Sequence, residues 1–141
     1  MILSSCVLAD SLEFDIIYLA MTSKVLLTTE KPWGYELLFA HTDKYAGKVI
    51  FVDKGRRLSL QYHKLKDETM YIHEGKVLLE IEVDGKMVIK ELSSGSSVRI
   101  PPMTKHRVTA VEDTLLFEVS TPELDDVVRV DDDYGRTSKG T

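Results

Sequence analysis

Leu58 and Leu60 alternate with Ser59 and Gln61, the period of two that a strand with one apolar face produces. Short apolar runs of this kind recur along the chain and predict strands at 35–40, 48–52, 58–62, 69–73, 77–83, 87–92, 98–100, 106–111 and 115–119, with a shorter one at 25–27. Between them lie turn residues. Lys31-Pro32-Trp33-Gly34 interrupts the first run, with Trp33 placed to cover one end of a core. Asp84-Gly85 is a hairpin signal, 93–97 is polar, and Pro101-Pro102 stops the strand before it. No helical stripe, P-loop, dinucleotide fingerprint or sustained heptad interrupts the series. Many short strands at regular spacing predict an all-β protein, a sandwich or small closed barrel with a polar cavity between its sheets.

At 141 residues the chain has room for one core. The expected division is an extension at 1–24, the β domain at 25–136 and a polar tail at 137–141. A formal net charge of -5 argues against a nucleic-acid surface. Cys6 is the single cysteine, so no internal disulfide or Cys-rich zinc site forms, which suits a reducing, cytoplasmic compartment. Residues 1–21 lack a basic start, and Asp10, Glu13 and Asp15 break their apolar run. They make a poor signal peptide and a poor membrane span. An edge element, a partner-contact arm and an extension outside the domain all fit them.

The candidate chemistry sits in two segments, 55–75 and 95–106. Gln61 and His63, two apart on a strand, share a face. A turn through Lys64 to Asp67 brings Glu68 back on the returning strand, and His106 can join from a neighbour. Four N and O donors of this kind suit a borderline divalent cation. Gln61 is the weakest donor, since an amide oxygen coordinates less strongly than imidazole and can instead serve as a hydrogen-bonding support. His41 reads as a solvated turn residue, and Cys6 as an inert small hydrophobe.

These segments resemble the two motifs of the cupin superfamily. Gly55, Gln61, His63, Glu68 and Gly75 match the spacing of the first motif, with Gln61 where a histidine is usual; Gly95, Pro101 and His106 match the second, with Met103 and Ala110 where glycine and asparagine are usual. The Gln-x-His variant in RLSLQYH, the preceding KPWGYELL and the final DDVVRVDDDYGR resemble the type II phosphomannose isomerase group over residues 30–136. That group includes the C-terminal cupin domain of bifunctional mannose-1-phosphate guanylyltransferases, whose nucleotidyltransferase signature is missing from this sequence.

The resemblance implies a cupin jelly-roll barrel of two antiparallel sheets that interconverts mannose 6-phosphate and fructose 6-phosphate. It implies a divalent ion, commonly zinc, held by Gln61, His63, Glu68 and His106, and a catalytic role for Arg136. Lys105 and His73 are candidates for the base, beside a metal-bound hydroxide. Rival readings are a non-catalytic sugar-binding cupin and a metal-dependent dioxygenase. Of Arg57, Lys64, Lys66, Arg99, Lys105, Arg107 and Arg136, at least two are expected to converge on the cavity to hold a phosphosugar. Arg99 is a candidate through its parity with Pro101. The apolar Val127, Val128 and Val130 are expected to dock the tail and deliver Tyr134-Gly135-Arg136 to the cavity mouth, against a solvated turn at Asp131 to Asp133. No nucleic acid or membrane partner is expected, and a homodimer is.

Overall fold

The computed structural model describes residues 27–137; the expected extension at 1–24, Cys6 and most of the polar tail lie outside them. Eleven strands follow one another among the described residues: β1 (Leu27–Lys31), β2 (Gly34–His41), β3 (Ala46–Val52), β4 (Leu60–Tyr62), β5 (Glu68–Glu74), β6 (Lys76–Val83), β7 (Lys86–Ser93), β8 (Ser97–Ile100), β9 (His106–Ala110), β10 (Thr114–Ser120) and β11 (Val128–Asp131). They form a six-stranded sheet, β1-β2-β3-β10-β5-β8, and a five-stranded one, β11-β4-β9-β6-β7, with every pairing antiparallel. The sheets face each other as a jelly roll and are not hydrogen-bonded into a closed barrel. No helix among the described residues is long and apolar enough to cross a membrane.

The hairpins follow local chemistry. Lys31 pairs with Gly34 at the tip of the first, so β1 runs on to Lys31 rather than ending at Leu27. Pro32-Trp33 makes the turn, and Trp33 folds in to 2% exposure. Asp84, at φ 50°, and Gly85 turn β6 into β7. Leu58 and Ser59 fall outside β4, yet Arg57 bridges to Thr109 and the Leu58 amide donates to the Val108 carbonyl, so the segment still runs beside β9. Gly75 has φ 89°, and a Cβ there would sit 2.3 Å from the Asp113 carbonyl oxygen. Only glycine fits that crossing.

Alternation divides the space between the sheets into two ends. One is apolar: Ile50, Val52, Ile72, Val77, Leu79, Val108 and Leu116 are buried in one cluster beneath Trp33. Each such side chain contributes roughly 1.5–3 kcal/mol on burial. The other end is polar: Ser59, His63, Lys66, Glu68, His106, Glu118 and Ser120 are all buried. The same alternation that seats Met70 and Ile72 inward carries Glu68 inward, and that which seats Val108 and Ala110 carries His106.

The C-terminal segment docks. β11 pairs with β4, and Tyr134 packs against the apolar cluster. The three aspartates do not stand as unpaired, repelling charges: Asp131 binds Arg107 at 2.6 Å, Asp132 binds Arg136 at 2.6 Å, and Asp133 binds Arg57 at 2.7 Å. The Arg136 hydrogen bonds, aided by its charge and by backbone amides, hold the Asp132 carboxyl down at about 2 against the opposing effect of burial. A carboxylate depressed in the folded state stabilises it above the unfolded value near 3.8 and loses that contribution as pH falls through about 2. At neutral pH Asp132→Asn is therefore expected to cost on the order of 1–2 kcal/mol. Its melting temperature should converge on that of the wild type between pH 4 and pH 2, which scanning calorimetry across that range would check.

Candidate metal centre

His63, Glu68 and His106 present one ligand atom each, and these atoms lie within 4.8 Å of one another. His106 Nε2 is 3.0 Å from Glu68 Oε1, and His63 Nε2 is 3.6 Å from Glu68 Oε2. Both imidazoles are held from behind. His106 Nδ1 donates to the Thr104 carbonyl at 2.9 Å, and His63 Nδ1 to the Asp126 carbonyl. A neutral imidazole that keeps its proton on Nδ1 in this way would turn the Nε2 lone pair to a cation. His63 Nε2 and Glu68 Oε2 are buried and lack any hydrogen-bond partner. Two imidazoles and a carboxylate whose ligand atoms converge inside the protein fit a divalent ion.

Gln61 lies on the same face, its Cα paired with that of His106. Its Oε1 accepts a hydrogen bond from Ser59 Oγ at 2.6 Å, which fixes the amide beside the three ligands. The turn between His63 and Glu68 is shaped by Asp126, whose carboxylate accepts the backbone N–H groups of Lys64, Leu65 and Lys66 at 2.6–3.0 Å. Burial opposes its charge, but these three bonds win and hold its carboxyl below the ordinary value. One residue thus sets both the loop and, through its carbonyl, the His63 ring.

Lys66, one of the seven basic residues expected near the cavity, reaches the cluster. Its ammonium lies 2.6 Å from Glu68 Oε2, outside hydrogen-bond directions, and donates to Glu118 Oε1 at 2.9 Å. Burial works against its charge, but the two carboxylates prevail and raise its pKa. Burial likewise disfavours the Glu68 anion, yet the facing His106 and His63 rings and the Lys66 charge hold its carboxyl far below the ordinary range. With neutral imidazoles the cluster carries one negative charge, two from the carboxylates against one from Lys66, so a divalent ion would leave it net positive.

The other sequence candidates lie elsewhere. His73 follows Thr69 and Tyr71 on the outer face of β5, opposite to Glu68, and its ring lies against Phe117. Lys105 pairs with Glu82 at 3.7 Å and lines, with Tyr62 and Met103, a surface depression of about 280 Å³. Neither placement supports a role as base at the buried cluster. Arg136 is spent largely on Asp132 and lies over the Tyr134 ring. Arg99 does not enter the cavity: Val98 and Ile100 fill the inward positions of β8, and Arg99 turns out to pair with Asp67 at 2.6 Å. Arg57 and Arg107 are likewise drawn off by the tail. Of the seven basic residues expected near the cavity, Lys66 contacts the buried cluster, and the expected convergence of two is not seen among the described contacts. His41, expected in a solvated turn, instead ends β2 paired with Ala46; it is exposed, with Nε2 3.1 Å from the Pro122 carbonyl.

A sequence model of the family described as Mannose-6-phosphate isomerase C-terminal matches residues 21–132. No curated protein matches the chain in sequence. Among solved structures the fold is similar to KdgF from Halomonas sp., at 25% identity and a TM-score of 0.58 over 71% of this chain and 91% of that one. It is also similar to the capsular polysaccharide assembling protein CapF from Staphylococcus aureus, at 19% identity and a TM-score of 0.64 over 78% of this chain and 35% of that one. Oxalate decarboxylase from Bacillus subtilis gives 16% identity and a TM-score of 0.65 over 74% and 30%. The chain spans about a third of the length of these last two, and their likeness concerns the fold.

Proposed function

The chain belongs to the mannose-6-phosphate isomerase C-terminal family, and from that premise we propose that it is a metal-dependent aldose–ketose isomerase acting on mannose 6-phosphate and fructose 6-phosphate, with zinc as the resident ion. The observation that carries the proposal is the convergence of two imidazoles and one carboxylate, buried between the sheets with their ligand atoms within 4.8 Å of one another. His63, Glu68 and His106 would hold the ion, with Gln61 as a fourth donor beside His106. Bound there, a divalent cation supplies stabilisation for the negative charge that develops on the substrate oxygens as a proton leaves carbon.

The chain's own residues supply the rest. The Thr104 and Asp126 carbonyls orient the two imidazoles. Lys66 offsets the charge of Glu68 and holds Glu118 by one oxygen. Glu118 is an interior carboxylate outside the ligand set, suited to take the proton from C2 and return it to C1. The electron pair of the C2–H bond then becomes the C1–C2 double bond of an enediolate, and the hydroxyl proton of O2 passes to O1. Arg136, partly exposed, keeps Nη1 clear of Asp132 for a substrate oxygen.

The test is a coupled assay over a panel of sugar phosphates. Purified protein is expected to convert mannose 6-phosphate, to lose activity with a chelator and to regain it with zinc. Glu118→Gln should lower kcat by about 100-fold or more while keeping the metal. Absence of turnover across the panel by zinc-loaded protein would overturn the reading.

A further inference from the structure

Arg129 stands on β11 directly opposite Gln61, which stands opposite His106 on β9. Partners in an antiparallel ladder share a face. The row therefore turns Arg129 toward the interior that holds the metal ligands, two strand spacings or about 10 Å from His106. Its Nε is buried and has no hydrogen-bond partner. Among the described residues no carboxylate lies within ion-pairing distance of it, whereas Arg57, Arg99, Arg107 and Arg136 each have an aspartate. Burying one guanidinium nitrogen without a partner costs free energy, while the half-buried side chain leaves the rest of the group able to meet an anion.

We infer that Arg129 is an anion-binding residue of the cavity, the anchor for a phosphate monoester whose sugar end reaches the His63–Glu68–His106 cluster. The inference deepens the isomerase reading, since it names the part of the chain that would select phosphorylated over free sugars. The guanidinium offers a planar fork of donors that matches two oxygens of one phosphate. Lys66 cannot do this work, because its ammonium is already shared between Glu68 and Glu118. The tail has a second use on this view: β11 pairs with β4 as the edge of its sheet and brings with it the cavity's phosphate contact.

The experiment uses metal-free protein, so that phosphate cannot bind through the ion, and titrates inorganic phosphate by calorimetry. Wild type, Arg129→Met and Arg129→Lys are compared. Wild type should bind, Arg129→Met should bind at least 10-fold more weakly, and Arg129→Lys should fall between, since an ammonium supplies charge without the fork. In the absence of anion the melting temperature of Arg129→Met should be unchanged or raised, because an unpaired buried donor has been removed; a structural arginine would lower it. Equal phosphate binding by wild type and Arg129→Met, no binding by wild type, or a fall in melting temperature that Arg129→Lys restores without restoring binding would each overturn the inference. The two readings separate cleanly. Phosphate binding that requires Arg129 in a protein without isomerase activity sustains the anchor and removes the enzyme. Turnover with an unchanged KM in Arg129→Met sustains the enzyme and removes the anchor.

Discussion

Lys66→Met is expected to destabilise the metal-free protein by about 3 kcal/mol or more, the scale for stripping one partner from a buried ion pair. The ammonium is 4% exposed and sits between Glu68, 2% exposed, and Glu118, 6% exposed. Methionine fills similar volume, so little of the loss comes from packing. What remains is two carboxylates inside the protein with no cation between them. A divalent ion bound by Glu68 would replace part of the missing positive charge, so zinc should stabilise Lys66→Met by more than it stabilises the wild type. Urea denaturation of both proteins with and without zinc reads this directly. A loss below about 1 kcal/mol would mean that the two carboxylates do not depend on Lys66 for their charge.

That Gln61, His63, Glu68 and His106 come together was legible in the sequence because each obeys a local rule. Gln61 and His63 share a face by alternation, Glu68 follows a turn, and His106 opens the strand after Pro101-Pro102. What escaped depends on partners remote in sequence. Glu118 takes its meaning from Lys66, Asp126 from the 64–66 turn, and Arg129 from the register of β11 against β4. No spacing within one segment could signal these. A weak hint existed for Asp126 and Arg129, which flank the apolar residues that dock the tail. His73 and Arg99 were misplaced for a different reason. Alternation says which residues share a face but not which face is inside. At β5 the inward side is decided by Met70 and Ile72, and at β8 by Val98 and Ile100, which leaves Pro101 beyond the strand and no guide to Arg99. Arginines near the motif segments were available to the aspartates of the tail, which took Arg57 and Arg107, while Arg136 pairs within the tail.

His106→Ala is expected to lower zinc affinity by at least about 100-fold, beyond the 10- to 100-fold typical of losing only a supporting contact. It removes a ligand atom and also the 3.0 Å contact that positions Glu68 Oε1. Gln61→Ala should cost less, near 10-fold, whether the amide binds the ion weakly or only supports its neighbours, because a neutral oxygen contributes less than imidazole nitrogen. The two variants can be ranked by competition against a chromogenic chelator. The ranking is informative because the residues are register partners on adjacent strands, so local disturbance of the sheet would affect both alike. A shared, equal loss would point to that disturbance. A steep loss for His106→Ala with a shallow one for Gln61→Ala would locate the ion at the buried imidazoles, and undiminished affinity in His106→Ala would remove the ion from this site altogether.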